Sequence, residues 1–174
     1  MAILILLAGM LWAQNPAPPP PSAELLDRIK KMAGSSTLSM EQIKSELIVE
    51  FQKDQVHSNE SMTFLVGKPR QGSRYSRIIK LVDCRVPVRI DDKGQEPFVV
   101  VDFLESSRIF EANLMAHFGP PDSIEVVEPN LTLAASLGYS LKSGWLWFGI
   151  SPAPARRVIS ASIHREKKVP STNP

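Results

Sequence analysis

Apolar residues recur at helical spacing in three places. In AELLDRIKKM they fall at Leu25, Leu26, Ile29 and Met32, and Gly34 closes the run. In SMEQIKSELIVEF they form one stripe of Met40, Ile43, Leu47, Ile48 and Phe51, while Ser39 and Gln42 have capping-box spacing. That stripe predicts one helix running through Phe51. In SRIFEANLMAHF (107–118), Phe110, Leu114, Met115 and Phe118 mark a third amphipathic helix. Gly119 and the prolines behind it stop that helix, because glycine accepts the left-handed conformation and proline cannot continue the turn.

The other apolar runs have the short, β-branched character of strands. They are MTFLV (62–66), YSRIIKLVDCRVPVRI (75–90), PFVVVDF (97–103), IEVVE (124–128), LAASLGYSL (133–141), WLWFGI (145–150) and RRVISASIH (156–164). Pro87 marks an edge or a bulge, and DDKGQE supplies a turn that makes 97–103 the return arm of a hairpin. Lys142-Ser143-Gly144 makes a tight turn and SPAPA (151–155) a wider one, so the last three strands read as an antiparallel meander. Ile159, Ala161 and Ile163 alternate with Ser160, Ser162 and His164, giving one buried face and one solvent face. Helices followed by antiparallel strands occur twice. The expectation is an α+β fold, with helices packed on an antiparallel sheet. A division into two helix-plus-strands units, 23–105 and 106–168, stays open, since the halves share no sequence identity.

Composition adds an address. The chain has 174 residues, 43% hydrophobic and 22% charged, enough for one modest core. MAILILLAGMLWAQ opens it with an apolar run too short to span a bilayer, and it reads as a secretory signal over residues 1–14. Leu11 and Ala13 offer the cleavage edge, although the usual Lys or Arg before the apolar run is missing. NPAPPPPS (15–22) reads as an extended linker, 23–168 as the globular part and VPSTNP (169–174) as a disordered tail. The expected location is periplasmic or extracellular, with no transmembrane span in the mature chain. The single Cys84 excludes an intrachain disulfide, so the core alone must stabilise the fold.

The net charge of +2 says little, but its distribution is uneven. Residues 66–93 hold eight Lys/Arg and three Asp/Glu, and residues 94–131 hold one and seven. The sharpest cluster is GKPRQGSRYSRIIK, where Lys68, Arg70, Arg74, Arg77 and Lys80 fall without an acid between them. Such a loop suits an anionic envelope polymer or an acidic envelope protein. The competing reading is a solvated loop balanced by the acidic middle. Nucleic acid is not expected, with Tyr75 alone among aromatics in the cluster. In SGWLWFGI, Trp145 and Trp147 share one strand face and Leu146 and Phe148 the other. That strand is either covered on both sides or offers aromatics to a partner.

Candidate chemistry is sparse. Cys84 in VDCRVPV has Arg85 beside it but no Cys-His signature, and a buried structural cysteine is the better reading. His57, His117 and His164 lack metal-ligand spacing, so no metal or cofactor is expected. His117 is placed to serve its helix C-terminus. Asp102 and Glu105 read as loop solvation. No G-x-S-x-G, phosphate-cradling loop or S-x-x-K occurs, and no catalytic residue is assigned.

Phe118-Gly119-Pro120-Pro121-Asp122 after a helix, then strands with Tyr139, Gly144 and Leu146-Trp147-Phe148, resembles the small outer-membrane assembly lipoproteins of the SmpA/OmlA type. It is also similar to the related β-lactamase-inhibitor-like fold. The resemblance covers about residues 107–165 and implies helices paired with an antiparallel sheet. It further implies a noncatalytic envelope protein that acts through its surface. The lipid-attachment cysteine of that family has no counterpart here. The functional expectation is an exported, noncatalytic binding module acting through the Lys68–Lys80 cluster and the Trp145/Trp147 face. Alternatives are a secreted hydrolase whose site is assembled from scattered residues, and a purely structural domain.

Overall fold

The computed structural model describes residues 20–88, 97–126 and 133–165. The signal segment, most of the polyproline stretch, DDKGQE and the VPSTNP tail lie outside the described residues.

The first helix, α1, spans Pro21–Gly34 and so begins within the stretch read as linker. A proline suits a helix's first turn, where its missing N–H has no partner to lose. Helix α2 spans Met40–Leu47, with the Ser39 hydroxyl accepting from the Gln42 N–H at 3.1 Å. The predicted continuation through Phe51 does not form. Ile48 takes a positive φ of 53° and the chain turns into strand β1, Val49–Lys53. Then follow β2 (Met62–Pro69), β3 (Ile79–Pro87), β4 (Phe98–Phe103), a 3-10 turn at Glu105–Ser107, and α3 (Glu111–Phe118). Four strands complete the chain: β5 (Ser123–Val126), β6 (Ala135–Leu141), β7 (Gly144–Ile150) and β8 (Val158–Arg165).

The strands form one sheet in the order β1-β2-β3-β4-β8-β7-β6-β5, antiparallel at every junction. This corrects the α+β expectation of helices packed on an antiparallel sheet in two helix-plus-strands units. The fold is sheet-dominated, with 42% of the described residues in strand and 25% in three short helices. The stripe 40–51 divides between helix and strand, and the third helix starts four residues later than its apolar spacing predicts. The two runs of strands are not separate units, because β4 hydrogen-bonds directly to β8, with Val99 opposite Ile163 and Val101 opposite Ala161.

One side of the sheet carries the core. Val82, Cys84, Val99, Val101, Ala161, Ile163, Leu146, Phe148 and Leu137 are buried there, with Leu25, Ile29, Met32, Ile43, Leu47 and Leu114 from the helices. An ionic network ties two of the helices together. Glu46 on α2 is buried and accepts from Arg28 (2.9 Å) and Lys31 on α1. Arg28 also bonds Glu24, which in turn accepts from Arg74 at 2.6 Å.

The stretch LMAHFGPPDS ends α3 and anchors it. Gly119, at φ 84°, donates its N–H to the Met115 carbonyl at 3.0 Å. Phe118 packs on Tyr139 and Phe148, with ring centroids 5.0 and 5.3 Å away. The Asp122 N–H donates to the Gly138 carbonyl, and its carboxylate accepts from the Ser140 N–H at 2.7 Å. So the turn clamps α3 onto β6. No helix among the described residues is long and apolar enough to cross a membrane.

Candidate functional site

Strand alternation puts every second residue of the sheet on the side away from the helices. On that side a row of rings and one cation crosses the sheet. Phe64 on β2 stands opposite Arg85 on β3, which stands opposite Phe98 on β4. The Arg85 guanidinium lies 5.4 Å from the Phe64 centroid and 5.2 Å from that of Phe98, within cation–π range. Phe98 meets the His164 ring edge-on at 4.7 Å. His164 stands opposite Trp145 on β7, and Trp145 stacks on Trp147 at 5.5 Å and 26°. Trp147 lies against Gly138 on β6, so closely that a Cβ there would sit 2.8 Å from the indole. The row thus crosses β2, β3, β4, β8, β7 and β6. Below it run Val66, Asp83, Val100 and Ser162, each opposite the next.

Trp145 and Trp147 are half-buried on this side, while Leu146 and Phe148 are buried on the other. The strand is therefore covered on its Leu146/Phe148 side and only half-covered on its Trp145/Trp147 side. The row itself, spread over a hundred residues of sequence, had no local signal. Its members meet because β4 pairs with β8. A stripe of aromatics on a strand pattern was the one visible trace.

The electrostatics of this face are mild. Arg85 bonds Asp83 at 3.2 Å. Burial pushes Asp102 above the usual carboxylate range; Lys80 opposes that and Asp83 reinforces it. Burial lowers His164, against a weaker opposing pull from Glu125. Its Nε2 lies 3.1 Å from the Ser162 hydroxyl, but no carboxylate among the described residues contacts the imidazole, so no catalytic triad forms.

Two of the five cations of the basic cluster are ion-paired within the chain. Arg70 pairs with Glu50 at 3.1 Å, and Arg74 is held by Glu24 over the buried ring of Tyr75. Lys80 acts on Asp102. Lys68 and Arg77 are exposed without an ion-pair partner among the described residues. The cluster sits on β2, the β2–β3 connection and the start of β3, three strands away from the tryptophans on β7.

The candidate chemical groups are dispersed. Cys84 is fully buried with its Sγ 3.4 Å from Met40 Sδ, and burial followed by Asp83 pushes its thiol up to about 12. A thiol in that state is not a nucleophile at neutral pH. His57 bonds Asp54 within the β1–β2 connection at 2.7 Å. His117 bonds Asp27 on α1 at 3.0 Å, so it joins α3 to α1 rather than serving its own helix end. Among the described residues no three His, Cys, Asp or Glu side chains are grouped to hold a metal. Comparison with known proteins returns no matching family model, no matching curated protein and no matching solved structure.

Proposed function

We propose that the chain is a noncatalytic interaction module of the cell envelope or the secreted fraction, engaging a protein partner through the sheet face that carries Phe64, Arg85, Phe98, Trp145 and Trp147. The observation behind this reading is the aromatic and cationic row on a face without helix cover. Tryptophan and arginine are enriched among the residues that carry most binding energy, and phenylalanine is enriched at interfaces. The export reading of residues 1–14 and the resemblance to the SmpA/OmlA type give the envelope address. The basic cluster enters in a reduced form, through Lys68, Arg77 and Lys80, because Arg70 and Arg74 are engaged within the chain.

The test is cosedimentation with envelope fractions of the source cell, comparing wild type with Phe98→Ser/Trp145→Ser and with Lys68→Glu/Arg77→Glu. Circular dichroism checks that each variant keeps its fold. Loss of association in the aromatic variant supports the reading. Association unchanged in that variant overturns it, and loss only in the charge variant moves the contact to the basic loop.

One observation favours a hydrolytic alternative. A groove of about 260 Å³ between α1 and α3 is lined by Ser22, Leu26, Ile109, Asn113 and His117, whose imidazole meets Asp27. Among the described residues no hydroxyl or thiol is hydrogen-bonded to that imidazole. Esterase activity lost in both His117→Ala and Ser22→Ala would carry this alternative; absence of activity in the wild type removes it.

A further inference from the structure

One member of the aromatic row can change its charge between neutral pH and mild acid. His164 on β8 sits near the middle of the row, between Phe98 on β4 and Trp145 on β7. An unperturbed imidazole titrates near pH 6.5, which sets histidine apart from every other side chain. His164 is exposed, so protons reach it from solvent. The strands on either side hold no charge next to it among the described residues. On this face β4 contributes Phe98 and Val100, with Asp102 at the far end opposite Ser160. β7 contributes the two neutral indoles. β8 itself contributes Ser160 and Ser162, whose Oγ lies 3.1 Å from Nε2, while Arg165 points to the other side and donates to the Ser35 carbonyl. Further out, β3 carries Arg85, paired with Asp83, and β5 carries Glu125, whose pull on the imidazole is weaker than the opposing effect of burial. Arg85 and His164 flank a single ring. They lie 5.2 and 4.7 Å from the Phe98 centroid, so they are separated by no more than about 10 Å, roughly one Debye length.

We propose that His164 is a pH switch on the aromatic face: in mild acid its protonation adds a second cation beside Arg85, and the face releases its partner. The release rests on the aromatic face being the contact surface, as proposed above; the change of charge does not. In the free protein, water screens the two cations from each other. A partner that covers the row removes that screening and must also desolvate the new charge. Phe98 offsets little of this cost, because the same ring already receives the Arg85 guanidinium. No carboxylate contacts the imidazole among the described residues, so the charge stays uncompensated. The neutral imidazole, by contrast, extends the run of flat rings from Phe98 to Trp145 without a charge. Partial burial favours this neutral form, so the face is in its binding state at neutral pH.

The switch can be read in the protein alone. In a Trp12→Phe background the emission comes from Trp145 and Trp147, and an imidazolium quenches a neighbouring indole far more than a neutral imidazole does. Emission should fall as the pH drops from 7.5 to 5, with a midpoint below the ordinary histidine value of 6.5. His164→Gln, neutral at both pH values, should remove that fall and leave the circular dichroism unchanged, since the side chain is exposed. Cosedimentation with envelope fractions should be about three- to tenfold weaker at pH 5 than at pH 7.5 for the wild type. The same comparison in His164→Gln should show no such loss, which controls for titration of the fractions themselves. Emission that ignores pH, or changes alike in the variant, overturns the proposal whether or not the face has a partner. So does cosedimentation that is equal at the two pH values, or that weakens equally in both proteins. Absence of cosedimentation at either pH removes the partner surface instead, and the emission result then decides the switch.

Discussion

Cys84 is the chain's single thiol, and its surroundings set its reactivity more firmly than its neighbour Arg85 does. A free thiol ionises near 8.5, and burial with the adjacent Asp83 lifts this one to about 12. The folded pKa lies above the unfolded value. The associated stability is therefore complete below pH ~8.5 and lost as pH rises toward 12. Iodoacetamide at pH 8 should label the native protein about a hundredfold or more slowly than the protein in denaturant. Equal rates would mean that Cys84 is not in the core. That burial was readable from VDCRVPV, an apolar β-branched setting. The ring contacts of Phe64, Phe98 and His164 were not, because each is an ordinary strand residue until its cross-strand neighbour is known. The tryptophan faces lie between these cases: alternation put Trp145 and Trp147 together but did not say which face the helices would cover.

The junction of α2 and β1 shows where pattern stops carrying element type. Met40, Ile43, Leu47, Ile48 and Phe51 continue a helical stripe without interruption, and no glycine or proline marks a break. The break falls on Ile48, a β-branched residue with φ 53°, a conformation that costs about 1–2 kcal/mol. Pairing of Val49–Lys53 with β2 offsets that cost, and such pairing leaves no mark in local spacing. Phe51 then packs across the pair onto Gly67, where a Cβ would sit 2.7 Å from its ring. The α1–α2 contact invites a direct measurement. Glu46 is the shared acceptor of Arg28 and Lys31, and its side chain is only 12% exposed. Glu46→Ala should cost about 1–2 kcal/mol in urea unfolding, since it removes the acceptor of one N–H of the partly buried Arg28 guanidinium, which Glu24 otherwise holds. Lys31→Ala should cost under about 1 kcal/mol, because that ammonium is largely in solvent. Equal effects would put the contact's strength elsewhere.

At the scale of the molecule, the sheet order decides cooperativity. Each run of four strands is a local meander, and the chain order of helices and strands was legible from turns and spacing. That the two meanders share one sheet was not, because the seam between β4 and β8 joins residues about sixty apart. The core is correspondingly continuous from Val49 to Ile163. Unfolding followed by Cys84 alkylation and by the Trp145–Trp147 signal, in a Trp12→Phe background, should give coincident transitions. A fragment of residues 20–105 should be unfolded, as its β4 lacks a partner and its core lacks half its members. A folded fragment, or separated transitions, would mean two domains. The same seam carries a consequence for how the protein is made. Strand β8 is the last described strand in the chain yet lies at the centre of the sheet, between β4 and β7. While the chain emerges from the ribosome or a translocation pore, β4 and β7 both wait with unsatisfied edges until Val158–Arg165 arrives between them. A chain stopped just before Val158 would lose only 17 of its 174 residues and have no finished sheet at all.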